Sequence, residues 1–276
     1  MIKNEKKECS LKYSAVKSDI KLFTVDSVDS TNRLAKDFAR GIKDSALPEG
    51  ACYDKEQRYL FIAREQTAGK GRLDRRFLSE RGVGLYMSFL FTPDVTPSEL
   101  TTLTAYAAVC TASAIERLCG ADVKIKWVND MIIRGKKAAG ILTEASLSSD
   151  GVAYAIIGIG INLKKQNFGE LSEIATSLED SCGYSPAPEE LALLISEQLS
   201  EFATADRSAY MNEYKKRSTV IGKNIKVIPT VGNPYEALAI DIADSGELII
   251  ENEQGVRTTL SAADVSVRPC AKVPKH

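Results

Sequence analysis

The sequence predicts an α+β protein of two domains, a larger part of interspersed strands and helices followed by a small β-barrel. Three observations carry this reading. The chain has 276 residues, against roughly 150 for a typical domain. Some segments repeat apolar residues every three or four positions and others alternate, the periods of helix and strand. From residue 222 the texture changes to short β-rich runs separated by Gly, Pro, Asp and Asn. The expected organisation is a tail over 1–21, a main domain over 22–219 and a C-terminal β module over 220–276.

In chain order, the first helix follows Asp29-Ser30, either of which can cap it, with Leu34 and Phe38 one turn apart and Gly41 at its end. Residues 59–64 and 84–91 read as buried strands. Thr96-Pro97-Ser98-Glu99 has capping-box spacing and starts a second helix. Leu100, Leu103, Ala107, Cys110, Ala114 and Leu118 form its buried stripe, and Gly120 ends it. Strands are expected at 122–127, 130–134, 137–145 and 152–162, the last two joined by the turn Ser148-Ser149-Asp150-Gly151. Helices follow from Pro188 and over 206–217. Strands at 225–229, 235–242, 247–251, 256–260 and 264–268 complete the chain, five short strands that suggest the barrel.

Composition excludes several classes. Lys and Arg total 36 against 37 Asp and Glu, so a globally basic nucleic-acid binder is not expected. No run of 18 apolar residues exists to cross a membrane. The start, MIKNEKKECS, is not a secretory signal. The single histidine is His276, the last residue, which disfavours a histidine general base, a Ser-His-Asp triad and His-containing metal sites. Cys9, Cys52, Cys110, Cys119, Cys182 and Cys270 are scattered without a C-x-x-C pair and read as free thiols of a cytoplasmic protein.

Four segments carry chemistry. The first runs from Arg64 to Arg76, where Gly69 and Gly71 flank Lys70 and Arg72 follows. Residues 64–81 hold six Lys or Arg against three Asp or Glu. Glycines bring backbone N–H groups close to a ligand and the cations suit phosphate or carboxylate. It is neither a Walker A loop, which needs Gly where Arg64 stands, nor a dinucleotide fingerprint, because Asp74 replaces the third glycine. Alone it reads equally as a solvated basic loop.

The second segment is Lys124 to Leu142, with five Lys or Arg against one acid over 124–137. Lys126 alternates with Ile125 and Trp127 and so faces away from them. Lys137 precedes the small residues Ala138-Ala139-Gly140, and Trp127 reads as a core aromatic. The third, Ile157-Gly158-Ile159-Gly160-Ile161-Asn162, alternates Gly and Ile, which fits either a ligand face or tight helix packing. The fourth, Asp29-Ser30-Thr31-Asn32, is a helix cap that can also hold a small polar head group.

In order and spacing, D-S-T-N, Q-T-A-G-K-G-R, K-W-x-N-D, G-K-K-x-x-G-I-L and G-I-G-I-N resemble the biotin protein ligases, the biotin–[acetyl-CoA-carboxylase] ligases. The resemblance covers about residues 22–270. It implies a mixed sheet flanked by helices, akin to class II aminoacyl-tRNA synthetase catalytic domains, with an SH3-like C-terminal domain. It implies activation of biotin by ATP to biotinyl-5′-adenylate, with Mg²⁺, then transfer to one lysine of a biotin carboxyl carrier domain. The short N-terminus resembles the monofunctional branch without a helix-turn-helix, so no DNA or membrane partner is expected. A weak homodimer on the sheet is compatible, though no sequence feature requires it.

By motif, the resemblance assigns Ser30, Thr31, Asn32 and Gln66 to the biotin head group. Gly69, Lys70, Gly71 and Arg72 belong to a loop closing over biotin and adenylate, and Arg75 approaches the ATP phosphates. Lys137 contacts the reacting carboxylate and phosphate, with Lys137 and Arg72 the catalytic pair. Gly140, Ile141 and Asn162 line the pocket, Asn162 on its adenylate side. Asn129 and Asp130 anchor the nucleotide end, Asp130 also as metal ligand.

The chain departs from the family pattern at four positions. Lys70 stands where Arg is common, which keeps the charge but loses the fork geometry. Asp74 stands where Gly is usual, Phe77 where Trp is usual and Val128 where Pro is usual. The lipoate–protein ligases and octanoyltransferases share the fold, but their R-R-x-S-G-G-G type motif is not found. A biotin-sensing regulator and a degenerate paralogue are the non-catalytic alternatives.

Overall fold

The structure, a computed structural model, describes residues 12–16, 19–261 and 265–269. Cys9, Cys270, His276 and the first eleven residues of the expected tail lie outside them. An eight-stranded sheet dominates, built from β1 (Lys12–Val16), β2 (Ile20–Val25), β3 (Arg58–Ala63), β4 (Gly84–Phe91), β5 (Lys124–Lys126), β6 (Asp130–Ile133), β7 (Lys136–Ser148) and β8 (Gly151–Asn162). Its order is β1-β2-β3-β4-β8-β7-β6-β5. The β2–β3 pair is parallel and the rest are antiparallel, so the sheet is mixed as expected. One expectation is corrected: 12–16 is an edge strand rather than tail, and β2 begins inside the range assigned to the tail.

Side-chain alternation divides two cores across this sheet. On β3, Leu60 and Ile62 face one core while Tyr59 and Phe61 face the other, the period-2 consequence of the pleat. The smaller core packs beneath helix α1 (Thr31–Ala39). There Phe38 meets Phe23, Tyr59 and Phe61 at ring-centroid distances of 5.6, 4.9 and 5.6 Å. Burying each such ring contributes about 1.5–3 kcal/mol. The larger core lies beneath α2 (Leu103–Cys119), α4 (Pro188–Leu199) and α5 (Arg207–Lys216), with the short α3 (Leu178–Cys182) at its edge.

Half of the expected capping box forms: the Glu99 carboxylate accepts from the Thr96 N–H at 2.7 Å, while the Glu99 N–H goes to the Thr96 carbonyl rather than to its hydroxyl. The first turn is nevertheless 3₁₀, and α2 starts only at Leu103. That helix is buried beyond its expected stripe, at Tyr106, Thr111 and Ile115 as well, because the sheet and two helices enclose it. Gly120 ends it at φ 64°, a left-handed cap that glycine adopts without a Cβ clash.

Strands β9 (Asn224–Pro229), β10 (Tyr235–Ile242), β11 (Leu248–Glu251), β12 (Arg257–Leu260) and β13 (Val265–Pro269) form a separate antiparallel sheet in the order β12-β11-β10-β9-β13. Its apolar face joins the larger core through Ile225, Val227 and Leu248. Contacts from Trp127, beyond β5, and from helix α5 fix it to the main domain. Trp127, buried as expected, donates from Nε1 to the Gly246 carbonyl at 3.0 Å. Arg207 donates to the Asp244 carbonyl at 2.9 Å. Among the described residues, no helix is long and apolar enough to cross a membrane.

Candidate active site

A cavity of about 660 Å³ opens on the α1 face of the large sheet. Its floor follows from the alternation on β8. Ile157, Ile159 and Ile161 enter the larger core, which leaves Gly158 and Gly160 facing the cavity. Across the sheet Gly158 pairs with Ser88 and Leu142, and Gly160 pairs with Gly140. These glycines are required by close approach. A Cβ on Gly158 would overlap the Asn32 carboxamide, and one on Gly160 would lie 2.6 Å from the Phe77 ring.

The inner end of the cavity is polar. The Gln66 Oε1 accepts from Thr31 N at 2.8 Å and from Thr31 Oγ1 at 3.1 Å, and Gln66 Nε2 donates to Ser79 Oγ at 3.0 Å. Ser88 Oγ lies 2.8 Å from Thr31 Oγ1 and 2.6 Å from Asn32 Oδ1. Asn32 Nδ2 donates to the Leu142 carbonyl and to Glu144 Oε2. Ser30 takes the N-cap position of α1, but its hydroxyl makes no cap bond. Asp29 does not cap the helix either; its carboxylate accepts from the Ser30 N–H and pairs with Arg33. The Ser30 hydroxyl is therefore left at the cavity wall.

The mouth is basic. Lys70, Arg72, Arg75, Arg76, Lys126 and Lys137 line the cavity with one carboxylate, Asp130. Lys126 reaches it because its strand neighbour Ile125 enters the core. The loop that carries four of these cations is pinned at its base. The backbones of Lys70 and Arg76 pair antiparallel, and Phe77 N donates to the Gly69 carbonyl at 3.0 Å. Within it Leu73 adopts φ 55° and is 41% exposed, at a cost of about 1–2 kcal/mol for a non-glycine residue. Burial pulls the Arg72 guanidinium below its ordinary pKa, and Arg75 adds to the drop while Asp130 and Tyr214 oppose it. A cation so placed is less solvated and acts more strongly on an anion brought beside it.

Lys137 Nζ lies 2.5 Å from Asp130 Oδ1 and 5.9 Å from the centre of the Phe77 ring. Asn129 sits below this pair, donating from Nδ2 to the Ile141 carbonyl at 2.6 Å. The Trp127–Val128 peptide bond just before it is cis, and Tyr214 donates to the Val128 carbonyl at 2.7 Å.

The structure thus gathers Ser30, Thr31, Asn32 and Gln66 at one end, and Lys70, Gly71, Arg72, Arg75, Asn129, Asp130 and Lys137 at the other. Gly140 and Ile141 lie between. Two expected residues fall outside the lining. Asn162 is buried and donates from Nδ2 to the Thr176 carbonyl at 3.0 Å. Gly69 packs beneath the Phe77 carbonyl and Ser79 Oγ, where a Cβ would lie 2.6 Å from each. Sequence reasoning missed Ser88, Glu144, Phe77 as a lining ring, and the rim residues Leu171 and Ile174. Ser88 had one local signal, a hydroxyl inside an apolar strand, and Phe77 stood at a position where the family pattern has Trp; the others had none.

Comparison with known proteins agrees with this geometry. Residues 46–162 match the Biotin/lipoate A/B protein ligase family, and residues 220–268 match the Biotin protein ligase C terminal domain. The bifunctional ligase/repressor BirA of Bacillus spizizenii is 32% identical over 244 residues, 86% of this chain and 71% of that protein. The biotin–[acetyl-CoA-carboxylase] ligase of Paracoccus denitrificans is 30% identical over 247 residues, 86% of this chain and 96% of that protein. Among solved structures, the biotin protein ligase from Aquifex aeolicus in complex with biotin and ATP superposes with a TM-score of 0.70 at 26% identity. That match covers 90% of this chain and 99% of the other. The fold and site define an enzyme of the ligase class. Within it, the chain belongs to the biotin protein ligase family.

Proposed function

We propose that the chain activates biotin with ATP to biotinyl-5′-adenylate and transfers the biotinyl group to one lysine of a biotin carboxyl carrier domain. The observation that carries this reading is the polarity of the cavity, uncharged and hydrogen-bonding inside, glycine-floored in the middle and basic at the mouth. Its volume is in the range of small-ligand sites. The bicyclic ureido head group fits the Ser30, Thr31 and Gln66 end, and the acyl chain lies over Gly158 and Gly160. Its carboxylate then arrives near Lys137, with the ATP phosphates among Lys70, Arg72, Arg75 and Lys126.

The chemistry needs these charges. A carboxylate oxygen attacks the α-phosphorus, a P–O–C(acyl) bond forms, and the bond to the β-phosphate breaks to release pyrophosphate. Two anions must approach, and negative charge then builds on the leaving group. Fixed cations stabilise that charge without reorganising. Asp130 keeps Lys137 pointed at the site. In the second step a neutral lysine of the carrier attacks the acyl carbon and AMP leaves. The basic loop shields the mixed anhydride from water between steps.

Mg²⁺ fits this donor set as part of MgATP. Among the described residues no group of three His, Cys, Asp or Glu could cage a metal, but Mg²⁺ is commonly held by one or two carboxylates and the phosphates themselves. Asp130 would supply the carboxylate, and the ion would add charge neutralisation on the phosphates. Cys52, Cys110, Cys119 and Cys182 are free thiols, which supports a cytoplasmic setting. The half-reaction is tested by biotin-dependent exchange of labelled pyrophosphate into ATP. Exchange that needs both biotin and Mg²⁺ supports the reading, and biotin-independent or absent exchange contradicts it.

A further inference from the structure

We propose that Glu144 is a positioning residue for the head-group end of the cavity, acting through Asn32 and Ser88 on Thr31. The inference rests on the proposed biotin reading and adds how this end is made to accept N–H donors. Glu144 stands on β7, two residues beyond Leu142, on the cavity face of the sheet. Its Oε1 is 3.1 Å from Lys36 Nζ of α1, and its Oε2 accepts from Asn32 Nδ2 at 2.9 Å. The second Asn32 N–H goes to the Leu142 carbonyl at 3.2 Å.

Those two acceptors settle which way the buried carboxamide faces. A carboxylate cannot donate, so the Asn32 nitrogen must point to Glu144 and its oxygen to Ser88. The Ser88 hydroxyl has one proton, and the shorter contact, 2.6 Å, is to Asn32 Oδ1. The same hydroxyl is also within donor range of Thr31 Oγ1 at 2.8 Å, but its single proton serves one acceptor at a time, and while it lies on Asn32 no second donor competes for the Thr31 hydroxyl oxygen. Its own proton goes to Gln66 Oε1. Its lone pairs are left for a ligand N–H. Gly158 belongs to the same device, because a side chain there would displace the Asn32 carboxamide. Asn32 is thus filled by protein partners and shapes the site rather than holding the ligand.

The test is titration calorimetry of the full-length protein with biotin and with a biotin analogue methylated on the ureido nitrogens, alongside steady-state KM values for biotin and ATP. Glu144→Ala is expected to weaken biotin binding about tenfold or more, the effect of losing one hydrogen bond and freeing the carboxamide to flip. The methylated analogue should change less, and the KM for ATP should hold. Glu144→Gln, which still offers an acceptor oxygen to Asn32, should recover most of the loss. Ser88→Ala provides a second variant with the same signature. Unchanged biotin affinity in Glu144→Ala, or equal losses for biotin and ATP, would overturn the proposal. Failure of the wild-type protein to bind biotin would instead overturn the biotin reading beneath it.

Discussion

Lys137 Nζ lies 2.5 Å from Asp130 Oδ1, so the lysine at the cavity mouth is held by the one carboxylate among the lining residues. The pair crosses from β7 to β6 next to the bulge at Met131/Ile132, where the register slips by one residue. That slip opposes Lys137 to Ile132 and lets Lys137 turn toward the cavity, while Ala138 and Ala139 both enter the core.

Lys137→Ala therefore removes the charge nearest the reacting carboxylate. Biotin-dependent pyrophosphate exchange should fall by about 100-fold or more, while the melting temperature stays within a few degrees. Asp130→Asn should cut the rate less, since Lys137 keeps its charge but loses its anchor. Exchange at the wild-type rate in Lys137→Ala would remove this residue from the mechanism.

Arg72 tests the shield. Arg72→Gly should leave adenylate formation measurable but speed release of the anhydride. Bystander proteins in the reaction should then gain biotin on many lysines, read by mass spectrometry. Labelling confined to the carrier domain would show that the loop does not retain the intermediate.

Gly158 tests the floor. Gly158→Ala places a methyl group inside the Asn32 carboxamide, an overpacking that costs about 1–3 kcal/mol. The KM for biotin should rise at least tenfold, with the KM for ATP little changed. An unaltered biotin KM would mean that Asn32 is free to move without consequence.

The ion pair between α2 and the end of α5 gives a pH dependence. Burial raises the Glu116 pKa, but the hydrogen bonds from Arg217, at 2.5 and 2.9 Å, together with the Val123 N–H and the Arg217 charge, outweigh it and the net shift is below the ordinary 4.5. A carboxylate whose folded pKa is depressed stabilises the fold above its unfolded pKa and loses that contribution as pH falls through the folded value. The melting-temperature gap between wild type and Glu116→Gln should be full near pH 6 and close as pH drops below about 4.5. A gap that does not narrow as pH falls below about 4.5 would assign the stabilisation elsewhere.

Much of this was legible in residues. Gly-Ile alternation on β8 marked a strand with one empty face, and that face is the cavity floor. Lys126 followed from strand parity. Trp127 read as core and is core, with its N–H tied to Gly246. What stayed hidden depends on contacts between distant segments. Glu144 meets Asn32 across 112 positions of sequence and carries no motif. Ile20–Val25 is bounded by Ser18-Asp19 and Asp26-Ser27, but its place in the sheet is fixed by parallel pairing with β3, which is distant in sequence. Asn162 carries the motif, and its Nδ2 is bonded to the Thr176 carbonyl, a contact no local pattern shows.

The most direct test of the central claim is to incubate the purified protein with biotin, MgATP and a biotin carboxyl carrier domain and to weigh the carrier. The carrier is expected to gain the mass of one biotinyl group, a gain that needs ATP and disappears when the acceptor lysine is changed to arginine. An unmodified carrier, with biotin bound tightly by the protein, would contradict it and leave a binding protein without transfer activity.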